Sequence, residues 1–160
     1  MGQGNRTDYP WLCIFNTNIT RGARYGIYLV YLFRKDMSGF YLSLAQGVTY
    51  FDEMYQRKKY DALKTVVKYF RSQIDLGSLS TDDIDLIGTR RGTLGYGYEI
   101  SNIVSKFYPS RHFNDEMLLN DLNEMMKIYD EIYRHMDVDS YKEIISRIVV
   151  AESGSKAQTM

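Results

Sequence analysis

The sequence predicts an α+β single domain: a mixed β-sheet of short strands in the N-terminal half, packed against amphipathic helices. Three observations carry that expectation. Dense apolar and aromatic runs fill the stretch from Trp11 to Leu44, the apolar spacing changes to a helical period after Thr49, and the C-terminal part holds long amphipathic stripes. A chain of 160 residues that is 44% hydrophobic and 25% charged has the composition and length to bury one core. The domain is expected to span residues 1–150. Residues 151–160 read as a tail or linker toward a downstream module.

The first strand is expected at Trp11 to Phe15, a short apolar run, and the second at Gly26 to Phe33 (GIYLVYLF). The second run has almost no polar interruption, which is the pattern of a strand covered on both faces. Asp36-Met37-Ser38-Gly39 is a turn, so Phe40 to Leu44 pairs back as a hairpin. Thr49 is the expected N-cap of a helix that carries Phe51, Met54 and Tyr55 on one side. A second helix aligns Leu63, Val66, Val67, Phe70 and Ile74, and its other side carries Lys64, Lys68 and Arg71. That basic stripe reads either as a solvated face or as a track for phosphates.

Asp83 to Ile87 (DIDLI) has the alternation of one more short strand. Gly88 to Tyr98, with four glycines, reads as an irregular loop. Asn114 or Asp115 then starts a strongly amphipathic helix with Leu118, Leu122, Met125, Tyr129, Ile132 and Met136 in register. Ser140 is expected to cap a last short helix carrying Tyr141, Ile144, Ile145 and Ile148.

Several function classes find no support in the residues. No apolar run approaches the roughly 20 residues needed to cross a bilayer, and Met1 to Asp8 lacks a secretory apolar region, so the chain is expected to be cytoplasmic with no membrane partner. The glycine-rich segment lacks the lysine and hydroxyl residue of a P-loop. No acidic residue with a following Glu-x-Lys or Asp-x-Lys falls on an expected strand, as a metal-dependent nuclease would need. His112 and His135 have no metal-ligand partner at helical spacing, and Cys13, in an apolar run, reads as a buried inert thiol. The chain is therefore expected to have no catalytic machinery of its own and no cofactor.

What remains is aromatic. The chain holds 15 Tyr, 7 Phe and a single Trp, and such side chains suit half-buried strands as well as surfaces that stack on flat ligands. Because strand side chains alternate, Tyr28, Val30 and Leu32 share one face and can join Trp11 in an aromatic and aliphatic cup. Taken alone, Trp11 reads more readily as ordinary core at a sheet edge than as a wall of such a cup. With 20 Lys plus Arg against 20 Asp plus Glu, composition carries no nucleic-acid footprint, so any such binding must come from local clusters. A module that binds a protein partner through exposed tyrosines is the alternative reading.

Five blocks stand in a telling order: GQGN from Gly2, YPWLCIFN from Tyr9, GIYLVYLF from Gly26, YLSLAQG from Tyr41 and GYGYEISNIVSKFY from Gly95. As a set they resemble the N-terminal DNA-reading domain of McrB-type modification-dependent restriction proteins, over roughly Gly2 to Arg134. The resemblance implies a domain that grips double-stranded DNA and flips a modified base, 5-methylcytosine or a relative, into a pocket. A downstream GTPase motor and a separate nuclease subunit would complete the system. It further implies that Trp11, Tyr28 and Leu32 line the pocket, with Tyr96 or Tyr98 as a further wall. Gln3 would fill the gap left in the duplex, at a position where an aromatic side chain stands in the best-known member. Arg21, Arg24, Arg90 and Arg91, with Asn5, are the nominated contacts to the DNA backbone. The chain begins at the GQGN turn, where the family usually has preceding helical sequence.

Overall fold

A computed structural model describes residues 10–15, 22, 24–135 and 138–159, with the backbone alone at 133, 135, 138–140 and 155–159. Four strands form one sheet in the order β1-β2-β3-β4: β1 (Trp11–Ile14), β2 (Ile27–Phe33), β3 (Gly39–Gln46) and β4 (Asn102–Pro109). All three pairings are antiparallel rather than mixed. The helices are α1 (Val48–Tyr55), α2 (Lys59–Gln73), α3 (Leu94–Ser101), α4 (Asp115–His135) and α5 (Val138–Thr159), with a 3-10 turn at Gln56–Lys58 between the first two. The α+β class is thus the observed one.

The strands form where the apolar runs predict them, and β2 and β3 are buried on both faces. One face of the sheet presents Ile27, Leu29, Phe40, Leu42, Leu44, Val104 and Tyr108 to the helices. There Leu63, Val66, Val67 and Phe70 of α2, Met125, Ile128 and Tyr129 of α4, and Tyr141 and Ile145 of α5 close the main core. Burying each such aliphatic side chain contributes about 1.5–3 kcal/mol, which makes this layer the source of most of the fold's stability. Two tyrosine tips are satisfied within it: the Tyr129 hydroxyl donates to the Ile27 carbonyl, and Tyr108 donates to Asp121 at 2.7 Å. The opposite face presents Tyr28, Val30, Leu32, Tyr41 and Ala45, and its cover is much thinner.

Five local expectations are corrected. The N-cap of α1 is Gly47, not Thr49. A Cβ at Gly47 would lie 2.3 Å from the Arg24–Tyr25 peptide, so the chain entering β2 passes where only glycine leaves room. Asp83 to Ile87 is not a strand. Ile84 and Leu86 are buried while Asp83 and Asp85 are exposed, which is the alternation the sequence displays, but apart from one bond from the Lys35 N–H its backbone is held by side chains instead of a ladder. Gly88 to Tyr98 is not loop throughout, because its second half enters α3. Gly97 belongs to the helix because it lets α3 approach α1: a Cβ there would meet Val48 Cγ2 at 3.1 Å.

The fourth strand follows α3 without an intervening turn, so no loop in the sequence separates it from the helix before it. Finally, α5 begins at Val138 and not at Ser140, and its helix runs to Thr159, through most of the stretch expected as tail. Asn114 does cap α4, accepting from the Met117 N–H at 2.8 Å. Met136 lies outside the described residues. Among the described residues no helix is long and apolar enough to cross a membrane.

Candidate functional site

The thin face of the sheet is built by period-two alternation on the four strands. Trp11 pairs with Leu32 and Cys13 with Val30 across the β1–β2 ladder, so Trp11 and Cys13 project to the side that carries Tyr28, Val30 and Leu32. Phe15 extends the row, its ring 5.6 Å from that of Tyr28. From β3 come Tyr41 and Ala45, and from β4 comes Phe107. The cover consists of Ile84 and Leu86 from the loop before α3, and Tyr98 from α3 itself.

Tyr98 and Trp11 meet at this cover, with ring centroids 6.5 Å apart and planes tilted by 44°. Trp11 is 44% exposed, whereas Tyr98, Tyr28 and Leu32 are 5%, 1% and 0% exposed. Three of the nominated pocket residues therefore form a closed floor and side beneath the half-exposed ring of Trp11. Tyr96 is not among them. Its ring lies edge-on to Tyr60 of α2 at 5.0 Å, on the opposite side of α3.

The site carries no charge at neutral pH. Burial pushes the Cys13 thiol up to about 12, well clear of thiolate formation. Burial likewise raises the Tyr28 and Tyr98 hydroxyls, with smaller contributions from Tyr98 beside Tyr28 and from Cys13 beside both. A neutral, mostly apolar aromatic recess with two hydroxyls suits a neutral flat ring, and it offers no activated nucleophile.

The cover is held by polar staples. Arg34, at the end of β2, donates from Nε to the Asp85 carbonyl at 2.9 Å and from Nη2 to the Tyr41 hydroxyl at 3.1 Å, while its guanidinium stacks 4.3 Å over the Phe107 ring. The Lys35 N–H donates to the Leu86 carbonyl at 3.1 Å. On the other side, the Glu99 carboxylate accepts from the Leu86 N–H at 2.8 Å and from the Thr89 hydroxyl. Between these anchors Ile87 and Gly88 both take left-handed φ values, 70° and 72°. For a β-branched residue that conformation is strained, and it persists because both ends of the loop are pinned.

The nominated basic residues are dispersed around this recess. Arg24 is exposed in the turn before β2, and Arg90 is exposed in the loop before α3, where its carbonyl accepts from Thr93. Arg91 turns toward α2, its guanidinium 4.8 Å over the Tyr60 ring. Gln3, Asn5 and Arg21 lie outside the described residues.

Sequence reasoning missed Cys13, Phe15 and Tyr41 as members of this face. Counting by twos from Trp11 and Tyr28 finds the first two, and Tyr41 follows once the β2–β3 hairpin register is known. Arg34 and Glu99 leave no such signal, because each acts on a backbone segment many residues away. Arg71, read as part of a solvated or phosphate-tracking stripe, is half-buried and donates to the Ile103 carbonyl at 2.7 Å.

A family model described as MrcB-like, N-terminal domain matches residues 1–134. No curated protein and no solved structure matches the chain.

Proposed function

The chain belongs to the MrcB-like N-terminal domain family, and from that premise we propose that it is the DNA-reading specificity domain of a modification-dependent restriction system. In this reading it grips duplex DNA, flips a modified base such as 5-methylcytosine, and stacks it between Trp11 and Tyr98 above the floor of Tyr28 and Leu32. The observation that supports it best is the half-exposed Trp11 set over an otherwise closed, neutral aromatic layer. Flipping costs a few kcal/mol of unstacking, least where the base pair is weakened. Stacking on aromatic rings returns about 1–3 kcal/mol per base.

A buried methyl group adds about 0.8 kcal/mol, roughly fourfold in affinity, so the pocket reads modification as a preference and not as an absolute gate. Gln3 fills the vacated space in the duplex. Arg24 and Arg90, with Asn5 and Arg21, hold the phosphate backbone and make binding fall with salt. The domain itself performs no chemistry in this reading, and a GTPase motor and a nuclease subunit supply the cleavage.

A panel of short duplexes that differ in one base tests the proposal. Because Trp11 is the only tryptophan, its fluorescence reports on the pocket alone. The expected result is tighter binding and stronger quenching with the modified base. Equal affinity across the panel overturns the reading. A protein-interaction module is the second reading, favoured by Leu119 and Met126, which are 58% and 42% exposed and stand two helical turns apart on α4. It expects no DNA binding even at low salt.

A further inference from the structure

The aromatic recess is full as it stands. A base held flat between two rings makes two contacts of about 3.5–4.0 Å, so its walls must stand nearly parallel and about 7–8 Å apart. Trp11 and Tyr98 are 6.5 Å apart at their centroids and tilted by 44°, which is direct aromatic contact. Beneath them Tyr28 and Leu32 are 1% and 0% exposed, and Ile84 and Leu86 pack against the same layer. We propose that residues 81–92 are a lid that swings off this layer to admit the base. The identity of the ligand rests on the base-reading proposal; the motion itself does not.

Of the three covers, this segment is the one least tied to the fold. Trp11 is fixed at the backbone by the β1–β2 ladder. Tyr98 rides on α3, whose other side is locked by Gly97 against Val48 and by Tyr96 edge-on to Tyr60 at 5.0 Å. The lid has firm ends and a light middle. At one end Ser80 is bridged to Ser105 by backbone bonds of 2.9 and 2.8 Å, and at the other Thr93 caps α3. Within it only Ile84 and Leu86 are buried.

The middle is latched from two sides at consecutive residues. Arg34 Nε donates to the Asp85 carbonyl, and the Glu99 carboxylate accepts from the Leu86 N–H. Next to the latch, Ile87 is held at φ 70°, a left-handed conformation that a β-branched residue leaves readily once released. Gly88 and Gly92, exposed and at φ 72° and 92°, have open space around them and serve as hinge points. A strained loop held by a few hydrogen bonds opens locally at lower free energy than packed helices do. Because a ligand that needs the open state binds in proportion to the open fraction, the strength of the latch sets how fast a base is read.

The test uses two variants of the intact 160-residue chain that push the lid in opposite directions. Glu99→Gln weakens one latch at nearly constant size. Ile87→Gly relieves the strain of the closed state, since glycine adopts positive φ freely. Cys13 is the only cysteine and packs against the layer beneath the lid, so its alkylation by iodoacetamide reports opening without DNA. Glu99→Gln is expected to react about fivefold faster than the parent and Ile87→Gly about twofold slower, with hydrogen exchange of the α2 amides unchanged. In stopped flow with a modified-base duplex, the quenching phase of Trp11 is expected to follow the same order. Equal alkylation in all three proteins, both variants moving the same way, or α2 amides that quicken with Cys13 overturns the lid. A modification-sensitive quenching phase of unchanged rate also overturns it, by taking opening off the path of the base. Failure of the base-reading proposal looks different: Trp11 fluorescence ignores the modification in all three proteins while the alkylation order persists.

Discussion

The two faces of the sheet are built from the same strands and are equally rich in apolar residues, yet they are covered in opposite ways. Toward the helices, Leu29 and its neighbours on β2 lie under side chains of α2, α4 and α5 that interlock at helical spacing. On the other side, Tyr28, Val30 and Leu32 lie under a pinned loop, one turn of α3 and a half-exposed tryptophan. A cover made of whole helices is stabilised by many dispersed contacts and tolerates little movement. One made of a loop depends on a handful of charged hydrogen bonds, and segments of that kind are where local opening takes place at low free energy. Stability and local opening are thereby assigned to different sides of one sheet.

The largest expected effect is on the thick side. Leu29→Ala, at a fully buried position among three helices, is expected to cost about 2–5 kcal/mol in a urea melt. Leu32→Ala, three residues along the same strand and just as buried, is expected at the low end of that range because its thin cover can settle into the space. Equal losses would erase the distinction between the faces.

Next is the staple. Arg34→Ala removes hydrogen bonds from a charged donor to the Asp85 carbonyl and the Tyr41 hydroxyl, interactions worth about 1.5–3 kcal/mol each in a well-shielded setting and less here because Arg34 is only half-buried. Hydrogen exchange is expected to quicken from Ile84 to Arg90 while the α2 amides stay protected. Uniform quickening would mean that the loop and the main core open together.

Trp11→Ala is expected to change stability by less than about 1 kcal/mol, as suits a half-exposed ring at a sheet edge. Affinity for a modified duplex should drop by the stacking contribution of about 1–3 kcal/mol, roughly five- to 150-fold, measured by fluorescence anisotropy of labelled DNA. An unfolded Trp11→Ala variant would return the residue to the core.

The smallest effect is the pH dependence of Cys13. Its thiol is raised from 9.0 to about 12 in the fold, so the unfolded chain loses this proton first as the solution turns alkaline. The stability it contributes is complete below pH 9 and is lost as pH rises toward 12. The tyrosines Tyr28 and Tyr98, raised from 10.0, add to the fall above pH 10. Cys13→Ala is expected to flatten the segment of the stability curve between pH 9 and 10, and the native thiol is expected to react slowly with iodoacetamide at pH 8. Fast alkylation of the folded protein would show that the floor of the recess is open.

Local pattern alone made most of this architecture legible. The strands β1 to β3 and the helices α2 and α4 follow from periodicity, because a half-buried strand and an amphipathic helix write their own spacing into the chain. So did the membership of Trp11, Tyr28 and Leu32 in one face, which needs only alternation and an antiparallel neighbour. Helix α3 escaped because Gly95 and Gly97 disfavour helix locally, and what Gly97 allows there is the close packing on Val48. The segment Asp83 to Ile87 misled in the other direction, since its alternation is real while its backbone partners, the Lys35 N–H apart, are side chains such as those of Arg34, Tyr41 and Glu99.

The choice between Tyr96 and Tyr98 marks the boundary most clearly. In a loop the two rings are interchangeable candidates, and composition cannot separate them. Once the segment is helical, residues two apart point to nearly opposite sides, so Tyr98 meets Trp11 and Tyr96 meets Tyr60. The sequence by itself determined the fold class, the aromatic face and its lone tryptophan, because these depend on the period of neighbouring residues. Only the tertiary structure decided which tyrosine completes the recess and what pins its cover, because those depend on contacts between segments that no local pattern encodes.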